Sequence, residues 1–418
     1  MPAQMDYEME ALLDGLQEFG AKDFANSAIL FMDVDHFRQL SMSLVTGEAE
    51  ELFRQLIARI RQEVRHDDVV KQVGRDSFVV IQRNFHSKDA LFDMCLRLLR
   101  TAHEPFKIRS YPILIRFSIG VAAPDASLGL EALLRRAQIA LQVQKNAGGA
   151  GFRFYTPLLE NDLARQNTII GELAAALEDD EQIVVHYQPL VTREGLSVVG
   201  REALIRWQHP SAGLLSPADF LPAAEGAGLI HPLGQYVLQH AARLGRRCPN
   251  EYVAVNISPL QCRSVSFAEQ AEATVKRAGC VPEQFELEVT EHFLLDEEQA
   301  LATILDLRCR GFHIVLDDFG AGYCNLAYLR RFPIDKLKID RQFIHGLDRD
   351  ERSFEIVKAL IDLGHALNLR VTAEGVETQR QLDLLQDTEC DELQGFLLGR
   401  PSPAAEDSQA EPLRRTLA

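Results

Sequence analysis

The chain has 418 residues, 46% of them hydrophobic and 25% charged, and a formal net charge of −17. That length predicts two or three domains with sizeable cores, and the negative balance argues against polymeric nucleic acid as the main partner. A small anionic substrate stays open, because bound metal inverts the local potential.

Residues 1–26 carry a loose amphipathic pattern through Met9, Leu12, Leu13 and Leu16, which predicts a helix. SAILFMDVDHF (27–37) is an apolar strand that ends on alternating acids. Residues 47–64 put Leu52, Phe53, Leu56, Ile57 and Ile60 on one helical face. DVVKQVGRDSFVVIQR (68–83) reads as a hairpin around Gly74, Arg75 and Asp76. A helix at 88–103, a strand pair over 105–122 and a helix at 128–146 stopped by Gly148 and Gly149 complete an α+β domain, residues 1–155. Residues 156–172 are a polar, helical linker. From 173 the rhythm changes. Short strand-like runs alternate with helical stretches at 233–246, 267–278, 297–310, 351–367 and 377–386. The eight strand candidates predict a (β/α)8 barrel over 173–403, and residues 404–418 read as an unstructured tail.

The seven cysteines (Cys95, Cys248, Cys262, Cys280, Cys309, Cys324 and Cys390) are scattered and include no C-x-x-C pair. Neither a disulfide framework nor a structural zinc site is indicated, and a reducing cytoplasm is the expected setting. No apolar run is long enough for a membrane span, and no signal peptide is recognisable.

The chemistry concentrates in the second half. Its eight strand-like segments read VVHYQP, REALIRW, VAVNIS, ELEVTE, IVLDDFG, KLKID, VTAEGVE and ELQGF. They carry Gln188, Glu202, Asn256, Glu288, Asp317, Asp318, Glu374 and Gln394, with Lys338 as the one base singled out. Carboxylates gathered at the C-terminal ends of barrel strands repel one another and are costly to desolvate, so a shared divalent cation is the expected reason for gathering them. Taken singly, each residue has a plainer reading. Asp317–Asp318 is compatible with a helix cap or turn, Glu202 and Glu288 with an exposed strand face or ion pair, and Asn256 with a turn cap. Lys338 is compatible with a structural pair to Asp335 or Asp340. Eight such residues together favour a metal-dependent site, with Mg²⁺ or Mn²⁺ suited to these oxygen ligands.

The longer motifs are specific. HYQP, EALIRWQHPSAGLLSPADFLPAAE, VNISPLQ, ELEVTE, DDFGAGYCNLAYL, PIDKLKID, TAEGVE and QGFLLGRP follow one another over residues 173–403. This stretch resembles an EAL domain, the cyclic di-GMP phosphodiesterase family. The resemblance implies a TIM-like barrel with an irregular first strand that hydrolyses cyclic di-GMP to linear pGpG. It implies that Glu202, Asn256, Glu288 and Asp317 hold a first metal, with Asp317 bridging to a second served by Asp318 and Glu374. Lys338 would fix the nucleophilic water, and Glu291 would hold the DDFGAGY loop. Gln188, Arg206 and Gln394 would engage the substrate. The chain departs from the family at Cys324–Asn325, where two serines are usual, and at His292; both touch loop dynamics and leave the ligand set intact.

The first domain is similar to a GGDEF diguanylate cyclase, but worn. Asp33 matches a metal-binding aspartate and Lys145 survives, whereas Ser41–Met42 stand where Asn-Asp is usual and Glu50 where a later aspartate is. The signature turn reads Gly74-Arg75-Asp76-Ser77-Phe78. Arginine would block close approach of a triphosphate, and serine supplies no metal carboxylate. Arg65 and Asp68 fit an R-x-x-D inhibitory pattern, for which a surface ion pair is the plainer reading. The expected protein is a phosphodiesterase with a catalytically inactive, regulatory cyclase-like domain. The alternative is a non-catalytic cyclic di-GMP receptor. A bifunctional cyclase–hydrolase conflicts with Ser41 and Ser77, and a GTP-sensing first domain is permitted by Asp33 and Lys145. The resemblance also implies a homodimer through the barrel. No sensor is recognisable ahead of residue 27, so the input signal is expected from a partner or from chain beyond this sequence.

Overall fold

The computed structural model describes residues 26–403 except 36, 38, 39, 42, 43, 45, 46, 75, 103, 109, 110, 126, 148, 180, 292, 294–296, 321–330, 349 and 350. It divides into two compact units, Met1–Ile169 and Ile170–Ala418. The helix expected over residues 1–26, save Asn26, and the 404–418 tail lie outside the described residues. So do Met42, Arg75, Gly148, His292, Cys324, Asn325 and the end of the DDFGAGY motif.

In the first unit, strands β1 (Ala28–Val34), β2 (Val69–Val73), β3 (Ser77–Gln82), β6 (Phe117–Ala122) and β7 (Phe152–Phe154) form one sheet in the order β2-β3-β1-β6-β7. The expected hairpin is present, with Val73 opposite Ser77. Period-two alternation on β1 builds two cores. Leu30 and Met32 pack with Leu52, Leu56 and Ile60 of α1 (Glu48–Glu63) and Leu91 and Leu98 of α2 (Lys88–Arg100). Ile29 and Phe31 pack on the other face with Leu133, Leu134 and Leu141 of α3 (Leu130–Asn146). The strand pair expected over 105–122 divides: β4 (Phe106–Ile108) and β5 (Tyr111–Ile113) form their own two-stranded sheet, while β6 is central. β6 is buried at every residue, so it belongs between two strands rather than in an edge hairpin. A Cβ at its Gly120 would lie 1.9 Å from the Ala137 carbonyl oxygen of α3, and only glycine admits so close a helix. Helix α4 (Pro157–Ala176) covers the stretch read as a linker.

The second unit is a closed eight-stranded barrel in the order β9-β11-β12-β13-β14-β15-β16-β8, shut by pairing of β8 with β9. Its strands are β8 (Ile183–Thr192), β9 (Val198–His209), β11 (Tyr252–Asn256), β12 (Phe285–Thr290), β13 (His313–Phe319), β14 (Lys336–Ile339), β15 (Arg370–Ala373) and β16 (Glu392–Leu393). β9 and β11 to β16 run parallel, and β8 is antiparallel to both its barrel neighbours. Helices α6 (Ile230–Arg247), α7 (Phe267–Arg277), α8 (Glu297–Cys309), α9 (Glu351–Ala366) and α10 (Gln379–Gln386) come after β9, β11, β12, β14 and β15 in turn. Helix α5 (Pro217–Ala227) was not marked by periodicity, because prolines 217 and 222 interrupt the pattern. Pro217 is instead a helix start: Ser216 and Asp219 close a capping box around it, and proline's fixed φ suits the first turn. Two short strands edge the sheet, β10 (Gly213–Leu215) on β9 and β17 (Ser402–Pro403) on β8.

Alternation decides what faces the barrel axis. On β12, Leu287 and Val289 join the apolar core, while Glu286 and Glu288 point inward between them. On β14, Leu337 and Ile339 do the same, and Lys336 and Lys338 face in. Two charged layers result, one above the other.

Candidate active site

The upper layer is built around Lys338. Its side chain is 1% exposed, and its Nζ lies 2.5 Å from Glu374, 2.9 Å from Glu288, 3.3 Å from Asp317 and 3.6 Å from Glu202. The structural pairs that the sequence permitted for this lysine are absent from it. Asp340 caps the short helix Arg341–His345, and Asp335 binds Arg308 and the Ile314 N–H. Asn256 likewise caps no turn: its Nδ2 donates to Glu202 Oε1 at 2.6 Å. Gln394 Nε2 donates to the other oxygen, Oε2, at 2.7 Å. Glu202 is the fifth residue of a twelve-residue strand, and Glu288 and Lys338 are also interior. The expectation that all these groups sit at strand ends is therefore corrected. Asn256 and Asp317 stand at or near the ends, and the other three lie inside their strands, where burial is nearly complete.

Asp317 and Asp318 are neighbours, so a regular strand would aim them at opposite faces. A register shift between Leu316 and Phe319 and a left-handed φ of 54° at Asp318 break that rule. Aspartate tolerates this region better than most residues, though not freely. The consequence is that oxygens of Asp317, Asp318 and Glu374 come within 4.8 Å of one another, a spacing that suits a shared cation. Glu291 supports the turn that follows: its Oε1 accepts the Gly320 N–H at 2.7 Å.

Electrostatics fit a cation. Both oxygens of Glu288 and Oδ1 of Asp317 are buried without a hydrogen bond, although Lys338 approaches Glu288 Oε1 and Asp317 Oδ1. Such orphaned acceptors are expensive unless positive charge satisfies them. Burial pushes the Glu288 carboxyl well above its usual range, with Glu202, Asp317 and Glu374 adding to the rise. Burial also lifts Glu374 to about 8, and burial with the Asp317 charge lifts Asp318 to about 6. Glu202 goes the other way. Burial opposes its charge, but Lys338 and the amides of Gln394 and Asn256 outweigh that and lower it. Burial opposes the charge of Lys338 too, yet the surrounding acids hold it well above its ordinary value.

A pH dependence follows. Glu374 keeps its proton to about 8 when folded and loses it near its ordinary 4.5 when unfolded. Its contribution to metal-free stability is full below the lower value and is lost as pH rises through the higher one. A Mn²⁺ ion held by Glu374 would have to displace that proton, and thermal stabilisation by Mn²⁺ over EDTA would then grow between ~pH 5 and ~pH 8. Melting curves at steps across this window test it. A Mn²⁺ shift independent of pH would remove Glu374 from the ligand set.

The residues expected at the substrate divide. Gln188 is buried, with Nε2 donating to the Gly399 carbonyl at 3.0 Å and Oε1 accepting from Gln394 at 3.3 Å. Arg206, four residues beyond Glu202 on β9, is half-buried, and its Nη1 donates to the Ile205 carbonyl. A cleft of about 620 Å³ between α6 and α7, lined by His231, Gln235, Gln261 and Arg277 among others, shares no residue with these acids.

In the first unit, Asp33 is occupied by its neighbours. Lys145 Nζ lies 2.6 Å from Oδ1, and Ser77 Oγ donates to Oδ2 at 3.0 Å. Asp35 accepts from Ser118 Oγ and the Ala150 N–H. Glu50 is exposed in the first turn of α1, and Ser41 is partly buried. Asp68 is no surface ion-pair partner. It is 3% exposed, and its oxygens accept the N–H groups of Arg65 at 2.9 Å and Arg83 at 3.1 Å, locking the turn before β2.

Sequence reasoning missed the lower layer. Lys336 is fully buried, with Nζ 2.7 Å from Glu286, 2.6 Å from Glu392 and 2.9 Å from the Tyr252 hydroxyl; Arg370 bonds both acids from the side. The signal was in ELE and KLK, whose two-residue spacing puts a second charge on the same face of the strand.

This barrel, with acids and a lysine converging inside it, is the architecture of a known family. Residues 170–401 match the EAL domain, and residues 9–150 match the diguanylate cyclase, GGDEF domain. The chain belongs to the proteins that carry these two domains in tandem. One relative, the bifunctional diguanylate cyclase/cyclic di-GMP phosphodiesterase MucR of Pseudomonas aeruginosa, is 36% identical over 390 residues, which is 92% of this chain and 57% of MucR. The cyclic di-GMP phosphodiesterase PdeR of Escherichia coli is 34% identical over 382 residues, 90% of this chain and 57% of PdeR. The PaMucR phosphodiesterase, solved as its c-di-GMP complex, is 42% identical with a TM-score of 0.55, covering 57% of this chain and 98% of that one. The chain thus spans about half the length of the curated relatives it matches. Among the described residues, no helix is long and apolar enough to cross a membrane.

Proposed function

We propose that the barrel hydrolyses one phosphodiester bond of cyclic di-GMP to give linear pGpG, with Mg²⁺ or Mn²⁺, and that the cyclase-like domain is inactive and regulatory. The observation that carries this reading is the fully buried Lys338 among Glu202, Glu288, Asp317 and Glu374, in a domain 42% identical to one solved with c-di-GMP. Glu202, Asn256, Glu288 and Asp317 would hold one cation, and Asp317, Asp318 and Glu374 a second. When bound, such cations acidify water and neutralise charge on the phosphoryl oxygens.

The chain's own groups do the rest. Lys338 orients the attacking water from below, and its ammonium offsets the negative charge of the acids. Asn256 and Gln394 hold both oxygens of Glu202, which fixes that carboxylate in one orientation. Glu291 holds the backbone after Asp318 through Gly320. Arg206, Gln188 and Gln394 engage the substrate, the two amides by exchanging their mutual hydrogen bond. In the first domain, Ser77 in place of an acid and the Asp33–Lys145 pair support loss of synthesis. The barrels pair as a homodimer in this reading, which sedimentation analysis checks.

Incubation of the chain with cyclic di-GMP and Mg²⁺ or Mn²⁺, followed by chromatography, should yield pGpG. Ca²⁺ should support binding but block turnover, because its looser coordination misplaces the reacting groups. Tight binding with unchanged substrate in Mn²⁺ would favour the receptor reading instead. Adding GTP to the same assay tests the first domain, and an unchanged rate and melting temperature would leave it a scaffold.

A further inference from the structure

We propose that the cleft of about 620 Å³ between α6 and α7 is a second ligand site, built for a small organic anion, and that its occupancy bears on Asn256. The volume suits a drug-sized ligand. Its walls divide by chemistry. Leu238, Ile257 and Phe267 supply an apolar face, and Gln235, Gln261 and Arg277 supply donors. None of the described residues that line it is acidic, in a chain whose net charge is −17. Glu269 and Glu272 of α7 lie off the cleft, and Glu272 is taken up by Lys276 and Arg310. Arg277 forms no ion pair among the described residues. Its Nε donates to the Ala273 carbonyl and its Nη2 to Thr274 Oγ1, both at 3.2 Å and both within its own helix, so its charge is left for a ligand. Gln235 Nε2 donates to the same hydroxyl at 2.8 Å, which ties the two helices together and fixes this wall.

Gln261 is the observation that points to a ligand. It is 4% exposed. Its Oε1 accepts the Ser258 N–H at 3.0 Å and closes the cap of the short helix Pro259–Cys262, while its Nε2 has no acceptor among the described residues. That amide is aimed at α6: a Cβ at Gly234 would lie 1.9 Å from Nε2, and both residues line the cleft. Glycine is unfavourable inside a helix, and here it makes room for a buried donor. A buried N–H without an acceptor is costly, and an anionic oxygen is the acceptor that gains most from it. The floor of the cleft also reaches the upper layer. Ile257 lines the cleft, follows Asn256 in the chain, and donates its N–H to the Glu288 carbonyl at 2.9 Å. A ligand packed against Ile257 therefore bears on the residue that holds Glu202 and on the strand of Glu288. This coupling, unlike the site, rests on the phosphodiesterase reading above.

The probe is 8-anilinonaphthalene-1-sulfonate, an aromatic body with a single anionic group, titrated by fluorescence into the full chain in EDTA. One site per chain is expected. Arg277→Glu and Gln261→Glu should each weaken binding by ~10-fold or more. Arg100→Glu, a charge reversal at the exposed end of α2, should leave it unchanged. The Gln261→Glu variant retains an acceptor for the Ser258 N–H, and the exposed Arg277 supplies a second variant should the buried one melt early. N-phenyl-1-naphthylamine, the same rings without the sulfonate, should bind wild type ~10-fold more weakly. No saturable binding, wild-type affinity in Arg277→Glu, or an equal loss in Arg100→Glu would each overturn the site. Saturating sulfonate should also change kcat or KM for cyclic di-GMP in Mn²⁺ by ~5-fold or more in wild type and not in Arg277→Glu. Unchanged kinetics with the cleft filled would overturn the coupling alone. A chain that binds the sulfonate but neither binds nor hydrolyses cyclic di-GMP would overturn the phosphodiesterase reading and the coupling, and leave the site standing.

Discussion

Glu202→Ala is expected to abolish hydrolysis of cyclic di-GMP, lowering kcat by on the order of 10³-fold or more. Glu202 is the most heavily held carboxylate in the upper layer, with one amide on each oxygen and Lys338 at 3.6 Å. It is also the acid of this layer whose proton affinity the surroundings lower, so it is ionised and ready for a cation across the working pH range. Alanine would remove the ligand proposed above, leave the amides of Asn256 and Gln394 without their acceptor, and open space beside Lys338. Because the last two effects also disturb the fold, Glu202→Gln is the sharper variant. Glutamine keeps the volume and one carbonyl acceptor and loses the charge. It should lower metal-free melting less than Glu202→Ala, because one of the two amide donors keeps an acceptor, and still produce no pGpG at saturating Mn²⁺. Wild-type turnover in Glu202→Gln would show that the acid is not a metal ligand.

The barrel strands could be read because they are short, largely apolar segments, most of them separated by amphipathic helices. REALIRW, ELEVTE and KLKID announced both the barrel and the acids in it. Two features were out of reach for physical reasons. The convergence of Asp317 and Asp318 depends on a bulge and a left-handed residue, and a period-two pattern predicts that they diverge. The depth of Glu202 and Lys338 depends on strand register around a closed barrel. Residues adjacent in a motif cannot show it, because Glu202 sits opposite Ala254 on one side and Gln188 on the other. Proline misled the reading at α5, where it starts a helix rather than breaking one. Asp68 shows the reverse error: an R-x-x-D spacing suggested a surface pair, yet the carboxylate is buried on backbone N–H groups. In the first domain the worn motif was informative for a simpler reason. Ser77 and Lys145 act directly on Asp33, and a missing acid needs no register to be noticed.

Lys336→Met is expected to destabilise the barrel by about 3–5 kcal/mol, a fall in melting temperature on the order of 10 °C for a domain of this size. The lower layer is balanced by charge: Lys336 and Arg370 face Glu286 and Glu392, with the Tyr252 hydroxyl donating to Glu392 at 2.6 Å. Glu286 and Glu392 are 1% and 6% exposed, so neither can recover its solvation when the ammonium is removed. Arg370 remains, but its side chain is 44% exposed and neutralises the pair only from one side. Methionine fills the lysine's volume, which separates loss of charge from loss of packing. Replacing Lys336, Glu286, Glu392 and Arg370 together by apolar residues of similar volume, with Tyr252→Phe, should therefore return most of the stability, since it removes the charges and the hydroxyl bonded to them as a set. Melting in EDTA measures both variants without reference to catalysis. A single Lys336→Met variant as stable as wild type would mean that the acids below the site are neutral in the folded chain, and that the layer is held by hydrogen bonds rather than by charge.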